Sequence, residues 1–143
     1  MPTTRTEILA AFPESAPYRD EVTGCPPEIF AINRDFQGRS WLDITATTCI
    51  GHSDALCMLD SKPLKYFLPA FLVAALEQPD SVAAESLVYF VCSGSFDAIT
   101  PELDPRQRSA VLKTVETIMD TDRGYFAEQT DAFLQQLERY GNG

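Results

Sequence analysis

Apolar residues recur at helical spacing in six stretches of the chain, each bounded by capping or breaking residues. "TTRTEILAAF" puts Ile8, Leu9 and Phe12 on one side behind a threonine cap. "PPEIFAINRDF" opens on proline, carries Glu28 in its first turn, and presents Ile29, Phe30, Ile32, Asn33 and Phe36 before Gly38 stops it. The longest pattern is "LKYFLPAFLVAAL". Leu64, Phe67, Leu68, Phe71, Leu72, Ala75 and Leu76 keep one helical phase across Pro69. Two independent elements meeting at Pro69 have no reason to align their faces. The spacing therefore predicts one helix from about Ser61 to Gln78, kinked where the proline nitrogen has no hydrogen to give the carbonyl of Lys65. Two helices, with Pro69 in the first turn of the second, are the alternative.

Three further helices follow. "PDSVAAESLVYFVCSG" has a Ser81 cap, an apolar face of Ala84, Leu87, Val88 and Val91, and Gly94 as its stop. In "LDPRQRSAVLKTVETIMD", Asp104 caps, Pro105 takes the first helical position and Gln107 completes a capping-box pattern. Its face is Val111, Leu112, Val115, Ile118 and Met119. "GYFAEQTDAFLQQLERYGNG" aligns Phe126, Thr130, Phe133, Leu134, Leu137 and Tyr140, with Gly141 past its end. Between Ser40 and Asp60 the β-branched run Ile44 to Ile50 predicts an irregular or extended segment, but no neighbour offers a partner strand. The fold class expected is all-α: a single domain over residues 1–143, about six helices in an orthogonal or bundle-like packing, with one irregular or extended segment near residues 40–60.

Composition agrees with this. A chain of 143 residues, 45% hydrophobic and 22% charged, buries enough surface to fold without staples. Its N-terminus lacks the apolar run of a signal peptide, and the longest apolar run, Tyr66 to Leu76, is too short to span a bilayer. The expected location is the cytoplasm, where Cys25, Cys49, Cys57 and Cys92 stay free and mostly buried.

Charge narrows the partners. Twenty-one acidic against eleven basic residues leave −10, which opposes nucleic acid and anionic membranes, whose phosphates need Lys and Arg. The middle of the chain is poorest in charge and is the expected centre of the core.

"CIGHSDALC" carries the one cluster of soft ligands, Cys49, His52 and Cys57 with Asp54 nearby. It lacks the CxxC or HxxxH pairs of a zinc site, so a loop with buried thiols is the expectation and no metal residue is assigned. His52 paired with a cysteine is the rival, a small thiol- or metal-dependent enzyme. Arg106 and Arg108 flank a helix start where an anion binds, or form a solvated first turn. Trp41 is either a core anchor or an interface residue. No phosphate loop, nucleophile elbow or zinc-protease motif occurs, so no catalytic residue and no cofactor is assigned.

"FQGRSWLDI", "LKYFLPAFLVAAL" and "LDPRQRSAVLKTV" together resemble a family of small uncharacterised bacterial proteins, a domain of unknown function. Its mark is an aromatic pair followed by Leu-Pro-Ala-aromatic-Leu, here Tyr66 to Leu72, with Trp41 before and Gln107-Arg108 after. Phe67 stands where a second tyrosine is expected. The resemblance implies a helical single domain and brings no activity, cofactor or catalytic residue.

The residues and charge together favour a non-enzymatic, acidic, protein-binding module with a basic protein partner, an immunity-like antagonist being one concrete form. Trp41, His52, Tyr66, Arg106 and Arg108 are its candidate binding residues. The chain is a monomer, or a homodimer burying Trp41, Tyr66 or Tyr125.

Overall fold

Helix α5 (Ser61–Glu77) runs unbroken through Pro69 and buries eleven of its seventeen residues, including Phe67, Leu68, Phe71 and Leu72. The single-helix reading of the Pro69 stretch therefore holds. Its in-phase apolar stripe is wide enough to be packed on several sides, by α1 (Arg5–Ala11), α3 (Ala46–Gly51), α6 (Val82–Cys92) and α8 (Pro105–Thr121). The helices α2 (Ile29–Phe36), α4 (Ala55–Met58), α7 (Gly94–Ile99) and α9 (Thr130–Tyr140) complete the computed structural model, which describes residues 3–141.

The all-α class holds, with no strand among the described residues beyond an isolated antiparallel bridge between Gly24 and Leu59. Among the described residues the expected six or so helices are corrected to nine α-helices, and the expected irregular or extended segment at 40–60 is corrected to a 3₁₀ turn and two short helices, α3 and α4. Ser40 accepts the Leu42 N–H at 3.2 Å and opens a 3₁₀ turn at Trp41–Asp43. Thr45 accepts the Thr48 N–H at 3.2 Å and opens α3. These local caps satisfy the first donors of each turn, and without a partner strand the β-branched residues have no competing ladder. The third added helix is α7. Ser93 ends α6 and, accepting the Ser95 N–H at 3.3 Å, caps the next helix, so Gly94 starts an element instead of only closing one. The chain turns by 71° there, which buries Phe96 and Ile99. No single helix among the described residues is long and apolar enough to cross a membrane.

The segment between α1 and α2 has no regular structure and is pinned by specific bonds. The Tyr18 N–H donates to the Arg39 carbonyl at 2.9 Å and the Gly38 N–H returns to the Tyr18 carbonyl at 2.5 Å. Gly38 sits at φ +78°, a conformation that favours glycine. The Val22 N–H donates to Asn33 Oδ1 at 2.8 Å. At the other end, Arg5 pairs with Glu77 at 3.4 Å and the Thr3 N–H reaches Thr117 Oγ1 at 3.3 Å. The start of α1 thus lies beside the late turns of α5 and α8, and its end at Phe12 comes back toward their earlier turns.

Candidate functional site

The pinned segment forms one wall of an open groove of about 790 Å³. Pro13, Glu14, Ala16, Pro17, Tyr18, Arg19 and Asp20 line that wall. Lys62, Lys65, Tyr66 and Pro69 of α5 form the second, and Glu102, Asp104 and Gln107 at the start of α8 the third. Its volume lies within the roughly 300–1,000 Å³ of ligand sites. Proline φ angles are fixed by the ring, so Pro13, Pro17 and Pro69 make its walls stiff.

Two tyrosines set its chemistry. Tyr66 donates its hydroxyl to the Ala16 carbonyl and accepts the Trp41 N–H at 3.2 Å, so this oxygen is engaged on both sides. Tyr18 packs on it with ring centroids 5.2 Å apart and on Phe67 at 5.3 Å. Only 8% of Tyr18 is exposed, its ring packed under the groove wall. Burial pushes this phenol above its usual pKa, with Lys62 lowering it and Asp20 raising it further. Tyr18 is therefore a neutral donor at neutral pH. Lys62 is bonded to Asp20, which raises its own pKa.

The residues expected to act from the sequence are scattered. Trp41 is 2% exposed, its indole N–H donating to the Glu14 carbonyl at 2.9 Å; it is an anchor for the groove wall, not a surface residue. A homodimer cannot bury it further. Arg108 is half-buried and its Nη1 donates to the carbonyls of Thr100 at 3.3 Å and Leu103 at 2.5 Å, closing the turn before α8. Arg106 is exposed and has no ion-pair partner among the described residues. The α8 start is already satisfied by the capping box, Asp104 accepting the Gln107 N–H at 2.8 Å and Gln107 accepting the Asp104 N–H at 3.1 Å.

The Cys49, His52 and Cys57 cluster does not converge on one centre. The His52 backbone N–H donates to the Cys49 carbonyl at 3.2 Å, but the ring turns to Asp35, Nε2 to Oδ2 2.6 Å, and meets Phe36 edge-on at 5.6 Å. This bond, with a second from Arg34, holds the Asp35 carboxyl below the usual range. Cys49 is fully buried and its thiol is pushed up to about 12 by desolvation, with Glu77 adding to the shift. Cys57 is exposed and raised, by burial of part of the side chain and by Asp54. Among the described residues no three His, Cys, Asp or Glu side chains are placed to hold a metal.

Sequence reasoning missed Tyr18. It lies in a stretch without periodicity, and only the turn signals around it, "FPESAPY", marked the region at all.

No family model matches this chain, and no curated protein or solved structure is significantly similar to it.

Proposed function

We propose that this protein is a non-enzymatic binding module whose acidic surface engages a basic protein partner. What carries the reading is the charge of −10 and how little of it is neutralised internally. The six ion pairs among the described residues occupy only Asp20, Asp35, Glu77, Asp97 and Asp120. The other carboxylates face solvent or neutral groups, and their field speeds the encounter with a cation-rich surface. The sites where catalysis would start point the same way. Cys49 is a buried, protonated thiol, and the His52 ring is held by a carboxylate instead of a nucleophile. An antagonist that neutralises a basic effector is the concrete form of this reading, by analogy with other small acidic proteins.

The test is capture from the source lysate on the immobilised full chain, at low and then moderate salt, with bound proteins identified by mass. A basic protein retained at low salt and released by moderate salt is the expected result, because screening weakens exposed charge contacts. An empty lane at both salts, or a partner indifferent to salt, overturns the reading.

A further inference from the structure

Helix α6 packs on α5, α7, α8 and α9 and leaves one side open. Val82, Glu85 and Tyr89 recur at i, i+3 and i+7 and so share that side. Val82 is 53% and Tyr89 45% exposed, and Glu85 between them is half-buried. The chain that follows α8 returns alongside. Tyr125, 58% exposed, donates its hydroxyl to Glu85 Oε2, and its backbone N–H donates to Asp122 Oδ1 at 3.1 Å. The buried Phe126 meets the Tyr125 ring edge-on at 4.9 Å and fixes its orientation. The Glu85 bond, with Tyr89 and Asp122 nearby, raises the Tyr125 pKa, and no cation among the described residues offsets them. Two phenol rings and two carboxylates thus stand together on one exposed face.

The charge of this face has one sign. From Tyr66 to Pro105 the chain has no Lys, Arg or His, and from Gly124 to Glu138 it has none either. Arg123, the cation next in sequence, is bonded to Asp120. Neither Glu85 nor Asp122 takes part in an ion pair among the described residues. The groove, by contrast, mixes Arg19, Lys62 and Lys65 with its acids. A second copy of the chain seated on the α6 face would set Glu85 and Asp122 against their own counterparts, and an uncharged partner would strip water from both without replacing it. A cation meets both needs. The flat guanidinium of arginine also stacks on a phenol ring while its edge bonds a carboxylate.

We infer that this face of α6 receives an arginine-bearing segment of the basic partner, the guanidinium lying on the exposed rings of Tyr89 and Tyr125 and bonded to the Glu85 and Asp122 carboxylates. The inference rests on the reading of the protein as a module for a basic partner and places that partner's contact.

The experiment uses the ¹⁵N-labelled full chain and two capped seven-residue peptides, one alternating glycine and arginine, the other with uncharged citrulline in place of arginine. The arginine peptide is expected to shift the amides of Ser86, Tyr89 and Tyr125 in a saturable way, and the citrulline peptide is expected not to. Y89A should weaken the arginine peptide roughly twofold to fivefold, the range for a cation on an exposed ring, and E85Q by a similar factor. E21Q removes the same charge from an exposed loop position elsewhere and should leave the affinity unchanged. Y125F keeps the ring and releases Glu85 from its hydroxyl, so it should bind at least as tightly as the parent. The amide spectrum of each variant verifies its fold. Shifts confined to other faces, no saturable shift, equal binding of both peptides, or a loss in E21Q equal to that in E85Q overturn the proposal. Movement of the same amides with protein concentration alone would put a second copy on this face and overturn it too. If the Y89A/E85Q double variant still captures a basic protein in a salt-sensitive way, the face assignment falls and the acidic-module reading stands. If neither the lysate nor the arginine peptide yields binding, both fall.

Discussion

The Tyr66 hydroxyl accepts the backbone N–H of Trp41 at 3.2 Å and donates its own O–H to the carbonyl of Ala16. One oxygen thus ties α5 to the 3₁₀ turn at residues 41–43 and to the groove wall. The Trp41 indole, bonded to Glu14, fixes the same wall two residues earlier. Tyr66→Phe keeps the ring and removes both bonds. It should cost about 1–2 kcal/mol in urea unfolding, and the Tyr18 amide, which bonds Arg39, should exchange faster. A variant as stable as the parent with unchanged exchange would show that the wall does not depend on this oxygen.

Pro69 occupies the interior of α5, where a proline forfeits a backbone bond and costs roughly 3 kcal/mol in an isolated helix. Alanine restores a donor for Lys65 but gives up a buried ring, worth about 0.8 kcal/mol per methylene, and loosens the unfolded chain. The balance favours alanine. Pro69→Ala should raise the urea midpoint, by about 0.5–1 kcal/mol of stability. A loss of 1 kcal/mol or more would mean that the ring's packing outweighs the missing bond.

Arg106 and Arg108 look equivalent in the sequence and differ in the fold. The Arg108 guanidinium completes the carbonyls of Thr100 and Leu103, whereas Arg106 is solvated. Arg108→Ala should cost about 1.5–3 kcal/mol, the range for bonds from a charged donor, and Arg106→Ala less than about 0.5. Thermal or urea unfolding of the pair decides it. Equal losses would show that the effect is helix propensity or charge and not the turn.

The long helices were legible because their signals are redundant. In α8 the cap, the proline, the capping box and the buried face of Val111, Leu112, Val115, Ile118 and Met119 all agree. Where one signal stood alone it misled. The β-branched run at Ile44 to Ile50 suggested extension, but short caps from Ser40 and Thr45 turn it into helix. Phe30 and Leu134 belong to the apolar faces that the spacing predicts, yet they are 72% and 55% exposed, each at the edge of its stripe. Conversely Gln136 is buried, donating to the Val91 carbonyl at 2.8 Å and to Asp97 at 3.2 Å, a tertiary pairing that polarity along the chain cannot announce. The groove was illegible for the same reason. It is assembled from three stretches separated by dozens of residues, and only the fold brings Tyr18, Tyr66 and Glu102 together.

Asp35 links stability to acid. The His52 hydrogen bond, then Arg34, holds its folded pKa below the unfolded value of about 3.9. A depressed carboxylate stabilises the fold fully above the unfolded pKa, and the gain is lost as pH falls through the folded pKa. Asp35→Asn should therefore be less stable than the parent at pH 6, with the two urea midpoints converging below about pH 4. Parallel midpoints across that range would mean that the Asp35 charge contributes nothing to the fold.

The thiols give the sharpest contrast with a cysteine-based activity. Desolvation pushes Cys49 up to about 12 and Cys92 up to about 11, so at pH 8 each is almost entirely protonated, Cys49 buried and Cys92 half-buried. Cys25 and Cys57 are exposed, Cys57 with its pKa raised by burial of part of the side chain and by Asp54. An aromatic disulfide reagent at pH 8 should therefore titrate two thiols in the folded chain, Cys25 and Cys57, and release the remaining two only in denaturant. Peptide mapping of the labelled protein assigns them. Rapid modification of Cys49 in the folded state would reveal a thiolate that the surrounding apolar core does not permit, and would return the His52 loop to the position of a catalytic candidate.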